Sequence, residues 1–283
     1  MTIVFLTGGL GNQMFQYACG RSLATKRGDE LVLFIGALTN PLSKRQYSLS
    51  VFNIAARVET TLDFVRSTDV LWFAHQIDSR YNAAVFRNHC ENIALRGYWE
   101  SEKYFSDAAG VIRHDFTFRS EIPEAPAGLA DQIAASESVC VHIRRTDTLR
   151  PGDPRGFVGT GYYEAAFRYM ASRLEHPKFF IFSDDIEWCM GNLRIPHPHC
   201  FSPNDPAEVS RLSDSNELRL MSRCKHFIIA NSTFSWWAAW LGGHAEKLVA
   251  APRRWFVQEG LWHPGIVQTF RSDDLIPTGW SRL

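Results

Sequence analysis

Three polar clusters in the second half of the chain, each following an apolar run, carry the residue types of anion binding. After SVCVHI (138–143) come Arg144, Arg145, Thr146 and Asp147; after KFFIF (178–182) come Ser183, Asp184 and Asp185; after HFIIA (226–230) come Asn231, Ser232 and Thr233. Guanidinium groups meet phosphate oxygens two at a time and never deprotonate, so Arg144 and Arg145 suit a phosphate. A solvated turn closed by a salt bridge is the structural alternative for them. Asp184 and Asp185 could accept bonds from ribose hydroxyls or a base's amino edge, unless Asp185 simply caps the next helix. Asn231, Ser232 and Thr233 stand where a helix begins, and free backbone N–H groups with a helix dipole attract phosphate. His142 alternates with Ile143 in a strand, so one of the two faces the opposite side of the sheet.

The three clusters together suit a nucleotide with phosphates. No Asp-x-Asp occurs in the chain, so the common acidic motif for a divalent ion on a nucleotide diphosphate is missing. The charge on a diphosphate leaving group must then be met by arginines and backbone donors. No metal and no other cofactor is expected. Pro196-His197-Pro198-His199-Cys200 has no second cluster to complete the three or four protein ligands that zinc needs.

A fourth feature is the turn Gly8-Gly9-Leu10-Gly11-Asn12-Gln13 near the N-terminus. It is not a dinucleotide fingerprint. The third glycine of G-x-G-x-x-G is replaced by Met14, and the next strand ends at Ile35-Gly36 with no acid for a ribose. A tight strand-to-helix turn capped by Asn12 is its structural reading.

The elements that must position these residues follow an α/β rhythm. In the first half a strand (3–6), the glycine turn, a helix from about 12 to 26 and a strand (31–35) form a β-loop-α-β unit, which favours a parallel sheet. Arg27-Gly28 supplies the helix stop. Residues 45–110 read as helical in parts. EIPEAPAG (121–128) has linker composition, giving domains of 1–125 and 126–283. The second domain is read as strands at 138–143, 178–182, 226–230 and 247–250, with helices at 161–174, 216–224 and 233–241. In such sheets ligands bind beyond the carboxyl ends of the strands, where the clusters stand. Trp236 and Trp240 share a helix face and read as core.

Composition excludes several classes. The 30 basic and 30 acidic residues of the 283 cancel, whereas a nucleic-acid binder leans basic. The six cysteines are scattered without C-x-x-C and read as reduced thiols of a cytoplasmic protein. There is no signal-peptide pattern and no apolar run of about 18 residues, while a peripheral contact at the inner face of a membrane stays open.

GGLGNQMFQYA (8–18), GYWESEKYF (97–105), HIRRTD (142–147), FSDD (182–185) and NSTFSWWAAWL (231–241) resemble the bacterial α-1,2-fucosyltransferases of glycosyltransferase family 11. The resemblance implies an α/β fold of GT-B type, two Rossmann-like domains facing across a cleft, the first on the acceptor side and the second binding GDP-fucose. It implies inverting, metal-independent transfer of L-fucose from GDP-β-L-fucose to the 2-hydroxyl of a terminal galactose in a glycan. Its partners would be that donor and a galactose-terminated acceptor. The family motif H-x-R-R-x-D falls on His142, Arg144, Arg145 and Asp147, with the arginines on the diphosphate. Asn231, Ser232 and Thr233 would join them, with Asp184 and Asp185 also assigned to the donor. Gly9 and Gly11 would let the backbone approach the donor, and Asn12 and Gln13 would bond its fucosyl or phosphate oxygens. Asp147 is the first choice for the catalytic base, a salt bridge orienting Arg144 or Arg145 is its alternative, and Glu100 and Glu102 are in reserve.

The chain departs from the family pattern where Thr146 and Thr148 flank Asp147, where Glu100 replaces a common Gln, and in the loop 149–159. Two other classes compete. A nicotinamide-dependent oxidoreductase is disfavoured by the missing glycine and ribose acid. A non-catalytic carbohydrate-binding protein would use the aromatics, which are 13% of residues, but has no need of two arginines beside a helix start.

Overall fold

The computed structural model describes residues 1–40, 45–65, 71–120, 128–150, 153–202, 213–257, 259, 262–263 and 266–283. They form two compact units: Met1–Glu121 with Glu259–Pro277, and Ile122–Gln258 with Thr278–Leu283. Of the expected linker at 121–128, all but Gly128 lies outside the described residues.

The first unit is built on β1 (Thr2–Phe5), α1 (Leu10–Arg27), β2 (Leu31–Phe34), β3 (Arg57–Glu59), β4 (Leu71–His75), β5 (Asn92–Arg96) and α2 (Ala109–Asp115). Its five strands are all parallel, in the order β3-β2-β1-β5-β4. The short run TIVF is buried because β1 lies between two neighbours, the usual reading of an apolar strand in a parallel sheet. Gly8, at φ +79°, turns the chain from β1 into α1, a backbone region that side chains rarely enter. Gly20 lets α1 press on β1, since a Cβ there would come within 2.2 Å of Val4 Cγ2. Lys26 and Arg27 close α1, and Gly28 follows at φ +70°, the expected left-handed stop.

Residues 45–110 correct the expectation of helix. Among the described residues this stretch holds β3, β4, β5 and short 3₁₀ turns, with the first α-helical residues after α1 at Ala109.

The second unit contains α3 (Leu129–Ala134), β6 (Glu137–Ile143), α4 (Thr160–Ala171), β7 (Pro177–Ser183), α5 (Ile186–Asn192), β8 (His199–Ser202), α6 (Asp214–Ser222), β9 (His226–Ile228), α7 (Thr233–Leu241) and β10 (Val249–Ala251). After these come a hairpin of β11 (Trp262–His263) and β12 (Ile266–Thr269), which belongs to the first unit, and β13 (Ser281–Arg282), which returns to the second. The second sheet is parallel throughout, in the order β13-β10-β9-β6-β7-β8. Val139, Val141 and Ile143 of β6 pack with Tyr163, Phe167 and Met170 of α4, so one apolar stripe of the helix covers one face of the sheet. Trp236 and Trp237 are fully buried, and Trp236 stacks on Trp240 and meets Trp280. The tryptophans are core, as read from the sequence. None of the six cysteines, all of which are described, is disulfide-bonded.

Candidate active site

The carboxyl ends of β7, β6 and β9 lie side by side in the second sheet, so the three polar clusters meet at one edge. Arg144 leaves β6 and is gripped by Asp147. Its Nε and Nη2 donate to the two carboxylate oxygens at 2.8 and 2.7 Å. Asp184 stands 3.5 Å from Arg144 Nε. The same carboxylate accepts from the backbone N–H of Arg145 at 2.8 Å, from that of Thr146 at 3.2 Å, and from the Thr146 hydroxyl. Asp185 caps α5 by accepting from Trp188 N–H at 3.3 Å and also pairs with Arg145 Nη1, while the Arg145 guanidinium lies 4.7 Å from the Trp188 ring centre. Asp184 and Asp185 thus shape the arginine loop. The two threonines serve the same turn, since the buried Thr148 hydroxyl reaches the carbonyls of Arg144 and Arg145 at 3.2 and 2.9 Å.

Asp147 is shared with a third cation, Arg155, at 3.3 Å, which is itself held by Asp153 at 2.6 and 3.0 Å. Burial alone would raise the Asp147 pKa, but its bonds from Arg144 and the charges of Arg144 and Arg155 outweigh it and hold the carboxyl far below the usual carboxylate range. So acidic a group is a poor proton acceptor near neutral pH. The geometry favours the alternative read from the sequence, a salt bridge that orients Arg144, over Asp147 as catalytic base.

His142 is buried, and its pKa is pushed down to about 3 by burial and by Arg144 beyond it. It is neutral, its ring centre lies 5.7 Å from that of Phe234 in α7, and its Nδ1 is a buried polar atom without a hydrogen-bond partner among the described residues. Asn231 is also buried. Its amide nitrogen donates to the carbonyls of Arg155, Gly156 and Trp255 at 2.9, 3.0 and 3.1 Å, and its Oδ1 has no partner among the described residues. Ser232 occupies the N-cap of α7 but makes no side-chain cap bond, and Thr233 opens the helix half-buried. Buried polar atoms lacking partners at a strand-end edge are the exception in folded proteins, and two of them stand here.

Sequence reasoning missed two residues here. Arg155 lies in a loop whose sequence carries no signal, and Pro151 and Gly152 of that loop lie outside the described residues. Glu217 of α6 has its pKa raised to about 7, first by burial and then by Asp214 and Asp184, against Arg144. By surface exposure Glu217 is only half-buried, and this raised carboxyl near the arginine loop is a charge the sequence does not reveal.

The glycine turn lies in the first unit. Gly9 is the N-cap of α1, so Asn12 is its third residue and not its cap. Gly11 is buried in the helix, and a Cβ at Gly9 would stand 3.6 Å from the Arg45 guanidinium. Gln13 is fully buried. It donates to the carbonyls of Gly8 and Gln46 and accepts from Ser48 N–H, each at 2.9 Å. The side chain thus ties the segment 46–48 to the turn, which leaves it little capacity for the donor oxygens expected from the sequence. Gln16 does similar work, accepting from Thr7 N–H and donating to Gly97 O, both at 3.0 Å. Glu100 is buried and Glu102 half-buried, both in the first unit.

Among the described residues, Glu137, His226 and His244 could offer a metal three ligand atoms within 4.8 Å. His226 Nδ1 accepts from Leu248 N–H at 3.0 Å, so its Nε2 carries the proton and donates to Glu137 at 2.7 Å. Lys225 holds the other Glu137 oxygen at 2.8 Å. Proton and ammonium already fill this cluster, which lies where β6 and β9 begin, at the end of the sheet away from the arginines.

Two parallel α/β units with this arginine edge define a fold of GT-B type, the fold of the fucosyltransferases that the structure resembles. Fucosyltransferase NodZ from Bradyrhizobium superposes with a TM-score of 0.52 at 15% identity, over 84% of this chain and 91% of that one. Arabidopsis thaliana FUT1 in complex with GDP superposes at 0.53 and 12% identity, over 98% and 74%. The chain belongs to glycosyl transferase family 11, whose family model matches residues 1–257. An alpha-1,2-colitosyltransferase of Escherichia coli is 30% identical over 100% of this chain and 99% of its own. The O-antigen biosynthesis glycosyltransferase WbnK of the same organism is 29% identical over 89% and 93%. Galactoside alpha-(1,2)-fucosyltransferase 1 of Sus scrofa is 26% identical over 85% of this chain and 65% of its own.

Proposed function

We propose that this chain transfers L-fucose from GDP-β-L-fucose to the 2-hydroxyl of a terminal galactose, with inversion and without a metal. The observation that carries the reading is Arg144, locked by Asp147 and flanked by Asp184 at the edge where α7 begins. In the single displacement proposed, the C1–O bond to the β-phosphate breaks and its electron pair leaves with GDP. The acceptor O2 forms the new C1–O bond from the opposite face. Arg144, Arg145 and the N–H groups opening α7 meet the charge that grows on the diphosphate. His142 Nδ1 and Asn231 Oδ1 are left for hydrogen bonds to the donor's hydroxyl and amino groups. The proton of the 2-hydroxyl goes to a carboxylate other than Asp147, with Glu100 and Glu102 the groups named by the sequence.

A second reading concerns the donor sugar. A relative that covers this chain end to end is a colitosyltransferase, and colitose is fucose without its 3-hydroxyl, so GDP-colitose is the competing donor. No described helix is long and apolar enough to cross a membrane, in keeping with the proposed cytoplasmic enzyme with at most a peripheral membrane contact.

The test is GDP release and product mass with GDP-fucose or GDP-colitose and lactose or N-acetyllactosamine, with and without EDTA. A product one deoxyhexose heavier, formed equally in EDTA, supports the proposal. A chain that turns over GDP-colitose alone has the second donor, and one that binds neither nucleotide sugar nor GDP refutes both readings.

A further inference from the structure

The first unit has a cavity of about 720 Å³ that the reading above does not use. It opens at the edge strand β4 and is lined by, among others, Phe73, His75, Ile77, Tyr81, Trp99 and Asp274. Phe73 is 42% and Ile77 66% exposed, an expense in apolar surface that usually marks a binding face. Phe73 and His75 point to the same side of β4, with ring centres 5.9 Å apart and only 24° between the planes, and make a flat shelf.

Trp99 forms another part of the lining. Its backbone sits at φ +58°, left-handed and rare for a bulky side chain. That conformation is imposed from outside. Gln76 Oε1 accepts the N–H groups of Tyr98 and Trp99 at 2.9 and 2.8 Å, and Ser101 N–H bonds to Trp99 O at 2.8 Å. The indole is 3% exposed, packs edge-on against Tyr104 at 5.3 Å, and its buried Nε1–H has no hydrogen-bond partner among the described residues. Strain kept at a cavity wall, with an orphaned donor, points to a ligand.

The charges of the cavity are already paired. Arg80 grips Asp78 at 2.7 and 3.0 Å, and Asp274 accepts from Lys103 and, at 2.9 Å, from Tyr81 N–H. No uncompensated cation is offered to a phosphate, whereas carboxylate lone pairs remain for hydroxyl donors. Aromatic faces, one buried N–H donor and paired carboxylates suit a neutral ring with an apolar C–H face and hydroxyl edges. We propose that this cavity binds a pyranoside of the acceptor glycan, its C–H face on the aromatic lining and its hydroxyls bonded by Trp99 Nε1–H and Asp274. The inference rests on the galactoside acceptor proposed above, and names where that acceptor is held.

The test uses the full chain, with Phe73→Ala on the exposed shelf and Trp99→Phe, which keeps the ring and removes the N–H. Saturation-transfer NMR reads binding of lactose and N-acetyllactosamine in the presence of GDP, and initial rates read the KM of each substrate. The expected result is an acceptor KM raised about tenfold or more in each variant, with saturation transfer weakened, with the GDP-fucose KM unchanged in both, and with the melting temperature unchanged in Phe73→Ala. Unaltered acceptor constants, or a raised GDP-fucose KM in their place, overturn the proposal, as does absence of saturation transfer to either sugar in the parent chain. Sugar binding that the variants abolish, in a parent that binds neither nucleotide sugar nor GDP, supports the cavity and refutes the transferase reading.

Discussion

Asp147→Asn separates the orienting role of this carboxylate from a role as general base. The substitution removes the charge from two bonds to Arg144, at 2.8 and 2.7 Å, and a weaker one to Arg155 at 3.3 Å. Hydrogen bonds to charged groups contribute about 1.5–3 kcal/mol each when sheltered. Here the side chains of Asp147, Arg144 and Arg155 are 14%, 21% and 31% exposed, asparagine keeps one acceptor oxygen, and solvent screens part of the rest. A net loss of about 2 kcal/mol is expected, or roughly 4–8 °C in melting temperature for a unit of this size. The folded pKa of Asp147 is depressed below its ordinary 3.8. Its stabilisation is therefore present above the unfolded value and lost as pH falls through the folded one, so parent and variant converge in strong acid and differ by a constant amount above about pH 5. Urea unfolding across that range reads the effect. With Arg144 no longer fixed, GDP affinity measured by calorimetry falls about tenfold, equivalent to about 1.4 kcal/mol, and kcat falls modestly. A variant with parental melting temperature and GDP affinity but kcat reduced more than about 100-fold would refute the orienting role and restore Asp147 as the base.

Other expected outcomes follow from the same contacts. Gln13→Ala strands the Ser48 N–H and two carbonyls in a buried site and should cost about 2–4 kcal/mol in chemical denaturation, with the GDP-fucose KM unchanged; a selective rise in that KM would return Gln13 to the donor. Glu217→Gln tests the carboxyl raised to about 7: the folded protein holds this proton where the unfolded chain has lost it, so parental stability falls as pH rises from about 4.5 to 7. The variant should lack that slope and be the more stable of the two above pH 7; an unchanged slope assigns it elsewhere. Gly8→Ala forces a side chain into φ +79° and to 2.7 Å from the Asn12 amide, which should lower stability by about 1–3 kcal/mol, read as a lower midpoint in urea.

The second unit was legible because its strands are runs such as SVCVHI and KFFIF. A strand buried on both faces of a parallel sheet must be apolar at every position, and each run is followed by the polar cluster that marks its end. The first unit hides its edges. β3 is the three-residue RVE and β5 is NIALR, too short and too polar at their ends for any period to register. What most of the site residues do was not legible either. Gln13 and Asn231 look like ligand-binding amides in sequence, yet their partners come from residues 46–48 and from 155, 156 and 255, which only the folded chain brings near. Asp147 reads as base or as salt bridge with equal reason, and Arg155, which brings a second cation to it, sits in a loop that carries no pattern of its own. The GYWE segment gave no hint of the strain at Trp99, because a left-handed φ at a bulky residue runs against local preference.

The return of Glu259–Pro277 to the first unit, followed by Thr278–Leu283 in the second, bears on how such chains can recombine. A chimera joined once, near residue 121, would give the first unit of one parent a hairpin and a Ser272–Asp274 anchor drawn from the other. That anchor includes the Asp274 contacts to Tyr81, Ser101 and Lys103. Exchanging the units intact takes three crossovers, after residues 121, 258 and 277. Single crossovers therefore exchange intact units only between parents whose last 25 residues are interchangeable, and a ribosome must have made residue 277 before the first unit has all its parts.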